Sequence, residues 1–169
     1  SATRTLFQLG TDRHILGLPD SPHFATAYAG LSQGVRTLTQ AGKKVILLVD
    51  NPTLPYPQDC LQRRTELGWL NQLLDLEHRN QRCAMGLDEH LRLSQQYRQL
   101  LQQVQQIQPE QIHVFDSLPY LCDTAQNECA SFKNGRLIYG ATDHISDYAA
   151  GLLGQDINHL AQQISQPSE

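Results

Sequence analysis

Apolar positions recur along this chain with two periods, and the alternation between them outlines the fold. Between His23 and Ala41, the residues Phe24, Ala27, Tyr28, Leu31, Val35 and Leu38 fall three or four apart, the spacing of one helix face. Gly42 follows at once, where a helix end favours a residue that tolerates a left-handed cap. The period then changes. Lys44-Val45-Ile46-Leu47-Leu48-Val49 is apolar almost without alternation, as in a parallel strand covered on both faces. The next segment, Asp50-Asn51-Pro52-Thr53-Leu54-Pro55-Tyr56-Pro57, reads as a rigid loop because each proline fixes its own φ.

Helical spacing returns in Leu67, Leu70, Leu73 and Leu74, with Trp69 alongside, and more clearly in Leu93, Tyr97, Leu100, Leu101, Val104 and Ile107. Gln95, Gln96, Gln99, Gln102, Gln103, Gln105 and Gln106 form the wet face of that second helix, so the glutamine bias reflects amphipathicity rather than low complexity. Asp88 is placed to cap it and Pro109 to stop it. Ile112 to Asp116 is a second buried strand, Leu137 to Tyr139 a short edge segment after the Asn134-Gly135 turn, and Thr5 to Leu9 a short strand before Gly10. Tyr148 to Leu153 and Ile157 to Ile164 are helical, and residues 165–169 a frayed tail. Helices alternating with strands imply crossover connections. The expected fold is therefore α/β, a three-layer sandwich around a mainly parallel sheet, with residues 1–169 as one domain.

Composition narrows the partners. The 169 residues are 40 % hydrophobic and carry a net charge of −4, without the basic stripe of a nucleic-acid binder. No apolar run approaches the roughly 20 residues that span a bilayer, so direct membrane insertion by this segment is not expected. Ser1-Ala2-Thr3-Arg4 has neither a start methionine nor a signal peptide's apolar region, so the chain reads as a processed piece of a longer parent.

Four cysteines allow three pairings, and none forms the close pair typical of structural zinc sites. Cys122 and Cys129 lie in a polar, turn-rich loop that suits a local clip, which leaves Cys60 with Cys83. The alternative is four reduced thiols in a cytosolic protein, whereas bridges would place the chain in an oxidising compartment.

Several segments, in order, resemble the C-terminal part of an SGNH-hydrolase-type domain of the kind fused to membrane acyltransferase-3 proteins, which O-acylate cell-surface polysaccharides. Gly42-Lys43-Lys44-Val45-Ile46-Leu47-Leu48 is similar to that family's central strand. Asn51-Pro52 to Pro57, followed by Cys60-Leu61, is similar to its proline loop and first cysteine. Val114-Phe115-Asp116 with Leu121-Cys122-Asp123 and Cys129 resembles the late strand and disulfide loop. Gly135-Arg136-Leu137-Ile138-Tyr139, leading to Asp143-His144-Ile145-Ser146, resembles the final histidine block.

The resemblance implies a Ser-His mechanism with no metal and no cofactor. A serine in a Gly-Asp-Ser motif is the family's nucleophile, and an Asp three residues before the histidine orients it. His144 falls on the histidine position, but Ala141 falls on the acid. Asp143 is adjacent, yet neighbours in an extended stretch point to opposite sides. Perturbing the acid of the well-studied triad costs about 10⁴-fold. Ser21, in Gly17-Leu18-Pro19-Asp20-Ser21-Pro22, echoes the nucleophile motif, although Pro22 after it fits an ordinary helix N-cap. The nucleophile is instead expected upstream of Ser1, or to be lacking in this protein altogether.

Other candidates have bland readings beside the functional one. Asp50 and Asn51 end a parallel strand, where α/β folds place ligand loops, and are expected to line a substrate pocket; a turn role suits Asn51 equally. Ser146 reads as an N-cap with Asp143 and Asp147 near a helix N-terminus. His113 reads as packing, while Trp69 and Tyr56 are either packing or platforms for sugar rings. The expected function is an extracytoplasmic, periplasmic domain, tethered to the inner membrane through its parent, that works with a membrane acyltransferase domain of the same parent chain to O-acetylate a glycan acceptor. An inactive scaffold that binds glycan or a partner is the alternative, favoured by Ala141, and a purely structural interaction domain is a third.

Overall fold

The computed structural model describes residues 22–54, 69, 83–140 and 144–166. Along these run helix α1 (Pro22–Gln40), strand β1 (Val45–Leu48), β2 (Ala84–Gly86), helix α2 (Leu87–Gln105), β3 (Ile112–Phe115), the single turn α3 (Leu118–Leu121), β4 (Cys122–Asp123), β5 (Glu128–Ala130), β6 (Phe132–Lys133), β7 (Arg136–Leu137) and helix α4 (Asp147–Ser165). The chain divides into two compact units.

In the first unit, which holds residues 22–50, 92–117 and 155–166 of the described chain, β1 and β3 pair in parallel, Val45 opposite Ile112 through Leu48 opposite Phe115. Phe24 and Val35 of α1 meet Leu100 and Val104 of α2 and Ile112 of β3 in a buried cluster, with Tyr28, Leu31, Val45, Leu47 and Tyr97 packed around it. The helical periodicity of α1 and α2 was legible because these contacts need one apolar face each. Gly42 closes α1 as expected. Its φ is +73°, its N–H donates to Thr39 O (2.9 Å), and Lys43 N–H donates to Leu38 O (3.0 Å), the paired bonds of a left-handed helix end.

Several expectations shift in this unit. Leu38 and Leu93 were placed on apolar faces but are exposed, at 48 % and 42 %. In α1 the buried line runs instead through Ser32 and Thr39, and the Thr39 hydroxyl donates to Arg36 O (3.1 Å). A helix carbonyl lets the Thr39 hydroxyl take a buried position, whereas the Ser32 Oγ is buried with no hydrogen-bond partner. The strand expected over Lys44 to Val49 is Val45–Leu48, and Leu48 is half exposed, so this strand is not covered on both faces along its length. Asp88, expected as a cap, is the second residue of α2.

The second unit holds residues 51–54, 69, 83–91, 118–140 and 144–154 of the described chain. Its buried side chains include Pro52, Leu54, Leu121, Cys122, Cys129, Ile138, Tyr139 and Ala149. Its pairings are antiparallel: β2 with β5, β4 with β5, and β6 with β7. A mainly parallel sheet was expected, and among the described residues the one parallel pair is β1 with β3. β4–β5 and β6–β7 are joined by connections too short for the crossover that parallel strands require, whereas β2 meets β5 from a distant part of the chain.

Asn134 (φ 52°) and Gly135 (φ 72°) make the β6–β7 turn, both left-handed as a two-residue hairpin demands. Cys122 and Cys129 face each other across β4 and β5 and are disulfide-bonded. Cys83 is also disulfide-bonded; Cys60, expected as its partner, lies outside the described residues. The Lys133 ammonium donates to Pro119 O (2.8 Å) and Cys122 O (2.7 Å), serving the open carbonyls where α3 ends.

Tyr148–Leu153 and Ile157–Ile164, read as separate helical stretches, belong to the continuous helix α4. Ser165, placed in the frayed tail, is its last residue, and residues 167–169 lie outside the described chain. The expected strand at Thr5 to Leu9 and most of the leucine-rich helix near Leu70 also lie outside it.

Candidate functional site at the His144 hairpin

The segment around His144 is a small antiparallel turn, anchored on one side by the core and on the other by a helix. Ile138 and Tyr139 are each 1 % exposed, so the incoming arm is fixed by burial. Tyr139 bridges Ile145 in antiparallel fashion. Gly140 N–H donates to His144 O (2.6 Å), and Ser146 N–H donates to Ile138 O (2.7 Å). Both sides of the residue pair are thus bonded, as in the wide register of an antiparallel ladder. Residues 141–143, which include the expected acid position Ala141 and its neighbour Asp143, join the two arms and lie outside the described residues.

Ser146 ends the outgoing arm and begins α4. Its hydroxyl accepts from Ala149 N–H (3.2 Å), the N-cap expected from sequence. The same hydroxyl donates to Leu137 O (2.6 Å), a bond the sequence did not reveal. Asp147 stands in the first turn of α4, where a negative charge complements the helix dipole. His144 is exposed, one residue from the bridge and two from the cap. An exposed imidazole on a pinned backbone is presented to solvent without first rearranging the chain. In the same unit, the Arg136 guanidinium sits 5.6 Å from the centre of the Tyr148 ring.

The other expected residues are placed as follows. Ser21 lies outside the described chain, so its reading as nucleophile or cap stays as the sequence left it. Asp50 follows β1 in the first unit, while Asn51 belongs to the second. The Asn51 amide donates to Pro52 O (3.2 Å). Burial, and after it the Asp50 carboxylate, push the Tyr97 phenol above the usual tyrosine range, and that phenol donates to Leu48 O (3.2 Å).

At the end of β3 Arg98 holds Asp116 through two bonds of 2.8 and 2.9 Å, and the Ser117 hydroxyl donates to Val49 O (3.2 Å). Tyr97 and Arg98 were not singled out by sequence for these roles, since a helical residue's distant polar partner leaves no local pattern. His113 is partly buried on β3, and its Nε2, shielded from solvent, has no hydrogen-bond partner, which suits a packing role. Trp69 is 65 % exposed, and Tyr56 lies outside the described residues.

Among the described residues, no group of His, Cys, Asp and Glu could hold a metal ion. No described helix is long and apolar enough to cross a membrane. In comparison with known proteins, the family described as the SGNH domain fused to AT3 domains matches residues 5–158. No curated protein and no solved structure matches the chain.

Proposed function

Since the chain belongs to the family of SGNH domains that occur fused to AT3 domains, we propose that it is the extracytoplasmic module of an acyltransferase that O-acetylates a cell-surface polysaccharide. The membrane acyltransferase domain of the parent supplies the acyl group. A serine attacks the acyl carbonyl while His144 takes its proton, and His144 returns that proton to the departing group. A glycan hydroxyl then accepts the acyl group by the reverse sequence. Ser21 is the candidate nucleophile within this chain, and Asp50 and Asn51 are the candidate substrate contacts. Family membership also supports reading β1 and β3 as part of a larger, mainly parallel sheet in a three-layer sandwich. The bonded Cys122–Cys129 pair supports a periplasmic setting, because bridges persist in oxidising compartments.

The observation that carries this reading is the exposure of His144 on a backbone bonded at Gly140 and Ser146. Hydrolysis of a small acetyl ester by the 169-residue chain tests it. His144→Ala is expected to lower the rate by about 10² or more. An unchanged rate removes His144 from the mechanism.

Ala141 at the acid position favours a second reading, a glycan-binding module without catalysis. Wild-type chain that retains glycan in a pull-down, yet hydrolyses no ester, selects that reading.

A further inference from the structure

We propose that Ser146 is a positioning residue for His144, acting through its hydroxyl as a donor and not through helix capping alone. The inference rests on the proposed role of His144 and goes beyond it. Besides the helical bond from Ala150 N–H to its carbonyl, Ser146 has three bonds that join the histidine turn to α4: N–H to Ile138 O, hydroxyl to Leu137 O, and Ala149 N–H to the hydroxyl. The first two tie the outgoing arm to successive carbonyls of the incoming arm. The third ties it to the first turn of α4.

A serine needed only as a cap would have its oxygen accept from the helix and its proton go to solvent. Here the proton is spent on Leu137 O at 2.6 Å, so one oxygen joins hairpin and helix within two residues of His144. Only two backbone steps separate the Ser146 anchor from the imidazole, and Gly140 N–H holds the His144 carbonyl from the other side. Small displacements of a catalytic group are costly: about 1 Å can cost 10²-fold.

The two roles of the hydroxyl can be separated chemically. Ser146→Asp keeps a good N-cap acceptor but has no proton for Leu137 O. Ser146→Thr keeps both donor and acceptor. Ser146→Ala loses both.

The test compares these variants in the whole chain by NMR of the histidine rings, with His159, on the exposed side of α4, as internal control. Ser146→Asp and Ser146→Ala are expected to shift or broaden the His144 ring signals while those of His159 stay in place, and Ser146→Thr to restore them. In the ester assay kcat is expected to fall about tenfold in Ser146→Asp with KM unchanged, because orientation and not binding is lost. His144 signals in Ser146→Asp that match wild type overturn the proposal and leave Ser146 a cap. The ring signals do not depend on turnover. An inactive wild-type chain would remove independent catalysis by this chain and leave this test standing.

Discussion

Gly42 is a residue whose identity follows from backbone geometry alone. Its φ of +73° is left-handed, yet a Cβ there would meet nothing within 4 Å. The only obstacle to a side chain is therefore conformational. Gly42→Ala is expected to destabilise the protein by about 1 kcal/mol, the cost of forcing an L-residue into that region. Chemical denaturation checks this, and an unchanged midpoint would mean the helix end had rearranged. Ser146 shows the opposite case at the same scale. Its side chain, rather than its backbone freedom, is what the position uses, through one oxygen that both donates and accepts.

At the scale of elements, α2 is fixed to the two parallel strands by polar bonds as well as by its apolar stripe. Tyr97 reaches Leu48 O on β1, and Arg98 grips Asp116 just beyond β3 with two parallel bonds. Tyr97 carries a pH consequence. Its phenol titrates above the ordinary value of 10.0 because burial, and then the Asp50 charge, disfavour the anion. Between the unfolded and folded pKa the unfolded chain has lost a proton that the folded chain still holds. Stability from this group is thus complete below about pH 10 and is lost as pH rises through the folded pKa. Thermal melts of wild type and Tyr97→Phe from pH 8 to 11.5 measure it. The phenylalanine variant should show the shallower alkaline fall, and parallel curves would remove Tyr97 as a contributor.

For the whole molecule, the bridges limit how far the chain can open. Cys122 and Cys129 are 2 % and 0 % exposed and enclose a short loop, so their bond constrains the unfolded ensemble more than it shields the native one. In the chain-entropy treatment a loop of this length is worth about 2–3 kcal/mol. The Cys122→Ala/Cys129→Ala double variant should lose about that much in denaturant, with Cys83 still bonded. A thiol titration of native protein should detect no reactive cysteine before reduction. Four reactive thiols would contradict both bridges and the oxidising compartment with them.

How much of this was legible in sequence depended on whether the cause was local. The α1 and α2 stripes, the Gly42 helix end, the Asn134-Gly135 turn and the Ser146 cap could be read directly. Each is decided by the side chain or backbone preference of residues within one or two turns of each other. The order of motifs also pointed to the family that matches residues 5–158. Tertiary structure decided what depends on residues far apart in the chain. It buried Ser32 and Thr39 in place of Leu38, paired β2 with β5, and joined Arg98 to Asp116. It also turned the Ser146 proton toward Leu137. Periodicity records which face of an element avoids water, but a hydrogen bond to a distant carbonyl leaves no period, so only the folded chain discloses it.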